Sequence, residues 1–146
     1  MARAPLDPTH LWTRFEQPAF ALLQIATGVL FACHGAQKLF GALGGREVGD
    51  FTSLMGFAGI IELVGGTLIA LGLLTSWFGL IACAEMIVAY FQAHAPKGGA
   101  PIQNGGELAL LYAFIFLFVA AHGAGIWSLD SLLLRPRFGR TAPVRR

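Results

Sequence analysis

The sequence predicts an all-α integral membrane protein: a four-helix bundle running up-down-up-down, preceded by a short N-terminal interfacial helix. Three observations carry this. Hydrophobic residues make up 55% of the 146-residue chain and charged residues only 12%, against about 25% charged in an ordinary globular domain. Mean hydropathy is +0.65. The apolar residues also fall into runs long enough to cross hydrocarbon, which takes about 20 mostly apolar residues per helix. A chain of one-domain length has no single soluble core large enough to hide that surface, so lipid is the solvent left for it.

The elements follow in order. Residues 1–17 form an N-terminal segment in which "HLWTRFEQ" sets Leu11, Trp12 and Phe15 on one helical face. That pattern suits a helix lying in the headgroup region. The first span is 18–40. Residues 41–56 hold Arg46, Glu47 and Asp50 among glycines and read as a loop. The second span is 57–74, "TSW" (75–77) is a tight connection, and the third span is 78–94. Residues 57–94 together are close to twice the length of one crossing, so a turn divides them. "APKGGAPIQNGG" closes the third span, and the fourth runs from 107 to about 127, ended by "SLD" and Pro136. The four-helix domain is therefore 18–130, with a basic tail over 131–146. No internal repeat stands out. "LFAC" (30–33) loosely resembles a lipoprotein cleavage box, but the apolar run continues past Cys33 and three more spans follow, so a retained helix is expected.

Direction comes from counting Lys and Arg near the span ends. One side collects seven: Arg3, Arg14, Arg135, Arg137, Arg140, Arg145 and Arg146. The other collects three: Lys38, Arg46 and Lys97. Both termini are therefore expected in the cytoplasm. Trp77 and Trp127 fall at inner span ends, where tryptophan is enriched. Beside apolar spans, the basic tail reads as an anchor on anionic lipid headgroups, with the bilayer as partner and no nucleic acid.

With direction assigned, polar residues from four spans converge near the outer face. His34 and Lys38 share one face of the first span, one turn apart, with Gln37 beside them. Glu62 enters from the second span, Gln92 and His94 from the third, and Glu107 from the start of the fourth. Glu85, seven residues before Gln92, extends this layer towards the midplane. An ionised carboxylate in hydrocarbon is costly, so it faces the interior and pairs or becomes neutral. Lys38 is the partner expected for Glu62 by depth.

Two readings of the layer stand side by side. In one it is a pocket open to the outer face, with His34 and Glu62 as the catalytic proton-handling residues. Gln37, Lys38, Glu85, Gln92, His94 and Glu107 would then line a substrate or quinone pocket. In the other it is a hydrogen-bonded cluster that fixes helix register.

The remaining polar positions have plainer roles. His122 suits an interfacial or interhelical hydrogen bond, and Asp130 suits a cap on whatever follows the fourth span. Cys33 and Cys83 form no CxxC or metal-ligand pattern and behave as small hydrophobes. No metal site is expected. Gly28, Ala32, Gly35, Gly59, Gly66 and Gly72 suit close helix packing in a compact bundle or homo-oligomer.

"GVLFACHGAQKLFG" on the first span resembles the signature of the DoxX family of small bacterial membrane proteins. "GIIELVGGTLIALGLLT", "EMIVAYF", "NGGELALLYAFIFLFVA" and "GAGIWSLD" are similar to its later segments, in order. The resemblance covers about residues 20–130. Gln24 stands where the family pattern often has an arginine. The resemblance implies a four-helix protein of the bacterial inner (plasma) membrane. For some relatives it implies a subunit delivering thiosulfate electrons to quinone, or association with membrane-bound redox complexes.

The leading functional expectation is a redox-associated subunit of a quinone-linked oxidoreductase complex. Thiol or thiosulfate electrons would reach quinone near the outer pocket, with Lys38 holding an anionic substrate. The chain has no haem, flavin, iron–sulfur or CxxC motif of its own, so a bound quinone and a soluble redox protein or second membrane subunit are the expected cofactor and partner. The alternatives are a non-catalytic scaffold anchoring a soluble partner, and a small oligomeric transporter with Glu62 and Glu85 as relay groups.

Overall fold

The structure is a computed structural model in which residues 10–133 are described. Arg3 and the five tail arginines, on which the inner-side charge count largely rests, lie outside the described residues. Helices dominate, and no strand occurs among the described residues. α1 is His10–Phe40. α2 is Leu54–Leu71 and α3 is Thr75–Lys97. A short α4 spans Pro101–Asn104, α5 spans Glu107–His122, and α6 spans Leu129–Leu133. The first three are long and apolar enough to cross a membrane, while α5 is shorter and apolar.

The boundaries differ from the sequence expectation in instructive ways. Among the described residues no break separates an N-terminal helix from the first span: residues 10–17 continue into α1, with Pro18 inside it. Proline withholds only the amide that would bond back to residue 14, and the turns on either side sustain the helix. Trp12 and Phe15 are exposed on this first part, their ring centroids 6.2 Å apart. At the other end Gly41 turns left-handed at φ 62° and stops α1. Ser53 caps α2, its hydroxyl accepting from the Gly56 amide at 3.1 Å.

The turn between α2 and α3 is 72–74, not "TSW", which forms the first turn of α3. Gly72 supplies it with a left-handed φ of 67°. α5 ends at His122 because Gly123 leaves the helix at φ 81°, ψ −158°, so the fourth helix stops before Trp127.

Packing is dominated by two helix pairs, α1 with α2 and α3 with α5, with less contact between α2 and α3. The first pair is brought together by the expected small residues. A Cβ on Gly28 would lie 2.5 Å from the Ala70 amide nitrogen, and one on Gly66 equally close to that of Ala32. One on Gly35 would overlap the Leu63 backbone. Between lipid-bathed helices there is little hydrophobic gain from association, so this close backbone approach supplies the attraction. Phe31, Ile69, Phe116 and Val119 fill the space between the pairs and are fully buried.

The end of the bundle where α2 turns into α3 is closed by a polar clamp. Gln24, buried inside α1, donates to the Ile69 carbonyl and accepts from the Gly125 amide, both at 2.9 Å. Asp130 does not cap its own segment. Its carboxylate accepts from the amides of Leu74 and Thr75 at 3.0 and 3.1 Å, capping α3 from 56 and 55 residues away. His122 stacks on Phe20, with centroids 3.6 Å apart. Asp130→Ala removes this cap and is expected to lower stability by about 1 kcal/mol, read as a lower thermal midpoint in detergent. An unchanged midpoint would mean that water serves those amides equally well.

Candidate functional site

Two wide π-helical turns interrupt the long helices. One is Ile61–Gly65 in α2 and the other is Tyr90–His94 in α3. An inserted residue of this kind re-aims the following side chains by about 100° relative to a regular helix. Glu62 lies in the first wide turn, and Gln92 and His94 lie in the second. Three residues of the expected layer are thus presented by locally modified helix.

Between the two helix pairs lies a cavity of about 640 Å³. Its polar side chains are His34 and Lys38 from α1, Glu62 from α2, Glu85, Gln92 and His94 from α3, and Tyr112 from α5; the other lining is mainly apolar. Lys38 Nζ donates to Glu62 Oε1 at 2.6 Å, forming the pair anticipated from depth. Glu62 is almost wholly buried at 3% exposure, whereas the Lys38 side chain keeps 23%. Lysine therefore brings its ammonium to the buried acid while part of its side chain stays exposed. Glu62 Oε2 and both oxygens of Glu85 are buried and meet no hydrogen-bond donor.

The two histidines are held differently. His34 meets the edge of the Tyr112 ring at 6.2 Å between centroids and 89° between planes. His94 Nδ1 lies 3.2 Å from the Asn104 carbonyl oxygen. A carbonyl only accepts, so Nδ1 carries the hydrogen in that bond. Asn104 is itself buried, and its Oδ1 accepts from the Gly106 amide at 2.9 Å.

Two residues expected in the layer stand apart from the cavity wall. Gln37 turns to the loop after α1, its amide 3.3 Å from the Leu43 carbonyl. Glu107 is exposed at the first position of α5, where the positive end of the helix dipole suits a carboxylate. Helix rotation sends both away from the cavity wall. Tyr112 was missed by sequence reasoning. The available signal was a phenol in an otherwise apolar span, since a buried Tyr hydroxyl seeks a partner.

Comparison with known proteins adds a lineage to this geometry. The family model described as DoxX matches residues 19–95. A Haemophilus influenzae protein described only as uncharacterized is 44% identical over 119 residues, covering 76% of this chain and 87% of that protein. A second, similarly described protein from the same organism is 35% identical over 72 residues, 49% of this chain and 48% of its own. A Bacillus subtilis (strain 168) protein named "Putative oxidoreductase CatD" is 28% identical over 118 residues, 78% of this chain and 86% of its own. No solved structure gives a significant match.

Proposed function

The chain belongs to the DoxX family, and from that premise we propose that it is a redox-associated subunit of the bacterial plasma membrane. In this reading it links oxidation of thiols or thiosulfate to membrane quinone through the outer cavity. The observation that carries it is the cavity itself: apolar walls with an acid–base cluster of His34, Lys38, Glu62, Glu85 and Tyr112 in one place. The oxidoreductase name of the Bacillus subtilis relative supports the same class of chemistry.

The topology belongs to the proposal. α1, α2, α3 and α5 cross in alternating directions, with both termini in the cytoplasm and the cavity near the outer face. The first turns of α1, with Trp12 and Phe15 exposed, lie in the inner headgroup region. The short α5 crosses with help from the segment after Gly123. A soluble redox protein or second membrane subunit supplies the electrons, and further copies of the chain assemble around it.

The residues present fit a quinone. The volume and apolar lining suit a lipid-soluble ring, and Gln92, His94 and Tyr112 provide hydrogen-bonding groups at its edge. When bound, quinone supplies an acceptor for electrons and protons. His34 and Glu62 are the groups that hold and pass protons at the imidazole and at the carboxylate. Lys38 is bonded to Glu62, so it positions that carboxylate. Tyr112, edge-on to His34, limits rotation of the ring.

The test uses membranes containing the protein and its electron-donating partner. His34→Ala and Glu62→Gln are each expected to reduce quinone reduction by about a hundredfold, the usual scale of acid–base catalysis, with protein level unchanged. Normal rates in both variants would remove the proposal and favour a scaffold role.

A further inference from the structure

The cavity's charges are unevenly matched. Lys38 and Glu62 form the one ion pair among the described residues. Glu85 lines the same cavity from α3, yet both its carboxyl oxygens are buried and meet neither a cation nor a donor. One lysine thus serves two acids, and it is already bonded to the first.

The other titratable groups on the cavity are His34 on α1, His94 on α3 and Tyr112 on α5. His94 Nδ1 is directed at the Asn104 carbonyl, His34 sits against Tyr112, and none of the three bonds to Glu85. A lone carboxylate in a low-dielectric site is relieved by taking up a proton rather than by remaining charged.

The wall of the cavity also faces outward. Leu54, Met55 and Phe57 of α2 line it, and each is more than half exposed on the surface of the bundle. Together with Val88 of α3, they form an apolar boundary between α2 and α3, which touch less than either tight helix pair. A lipid-soluble molecule needs to displace only these side chains to enter.

We propose that Glu85 is held as the neutral acid, leaving the cavity's Lys38, Glu62 and Glu85 without net charge. The site then takes an uncharged, lipid-soluble ligand that enters sideways between α2 and α3 and presents a hydrogen-bond acceptor to Glu85. This rests on the redox reading above and sharpens it. A quinone belongs to that ligand class, whereas an oxyanion such as thiosulfate does not and is handled outside this cavity. Lys38 accordingly serves Glu62 and holds no anionic substrate.

The experiment uses the full-length protein in lipid nanodiscs with dicyclohexylcarbodiimide, a lipid-soluble reagent that adds to protonated carboxyl groups. Peptide mass spectrometry locates the adduct. Glu85 is expected to be modified and Glu62 spared, with loss of the Glu85 adduct in decylubiquinone but not in thiosulfate. In Lys38→Gln, Glu62 is expected to become reactive as well. An unmodified Glu85 in the wild-type protein would overturn the neutral acid. Protection by thiosulfate, or by neither compound, would overturn the ligand class. The redox reading is judged separately: a modified, quinone-protected Glu85 in membranes that never reduce quinone leaves this inference standing and removes that one. Quinone reduction with no modification of Glu85 does the reverse.

Discussion

Lys38→Ala is expected to destabilise the protein by about 3 kcal/mol, the lower end of the range for removing one partner of a buried ion pair. The lower end applies because the Lys38 side chain keeps 23% exposure, so part of its charge is already hydrated in the folded state. Glu62 is the side that suffers. It is 3% exposed, its Oε1 loses a 2.6 Å bond, and its Oε2 has no other donor to fall back on. The double variant Lys38→Ala/Glu62→Gln is expected to recover much of the loss, since a neutral amide requires no counter-charge. A double-mutant cycle of thermal unfolding in detergent measures the coupling directly. If the single variant is as stable as the parent, the pair lies in water rather than in a buried site.

Gly35→Leu is expected to be at least as damaging, by about 3 kcal/mol or more, at the severe end of overpacking. The reason is what the new side chain meets. A Cβ at this position would overlap the Leu63 backbone and crowd the Gly59 carbonyl, and backbone has no rotamer into which to retreat. α1 and α2 would have to separate along their whole small-residue seam, taking Lys38 away from Glu62. Gly49→Leu is the control, because a Cβ there meets nothing within 4 Å. The readout is the fraction of protein recovered as a single species in detergent. Equal recovery of both variants would show that the seam is not the contact holding the pair together.

Part of the site was legible because position along a helix is nearly a matter of counting residues. His34, Lys38, Glu62, Gln92 and His94, grouped by counting, line one cavity. Azimuth was less legible. Gln37 is three residues from His34 yet bonds into the loop after α1, and Glu107 points away from the cavity from the first turn of α5. The two wide turns at Ile61–Gly65 and Tyr90–His94 leave no mark in the hydrophobic pattern. Whether a helix admits an extra residue depends on what presses against it from neighbouring helices.

The amino-acid sequence by itself determined the helical class, the solvent and the layer of acids and bases. Those follow from how many apolar residues occur in unbroken runs, and from the intolerance of hydrocarbon for isolated charge. Only the tertiary structure decided that Lys38 is committed to Glu62 while Glu85 is left without a partner. It alone showed that Asp130 caps a helix 55 residues earlier in the chain. Such pairings depend on the rotation of one helix against another. That rotation is set by close backbone contacts such as Gly28 with Ala70, where a few ångströms decide which polar atoms meet.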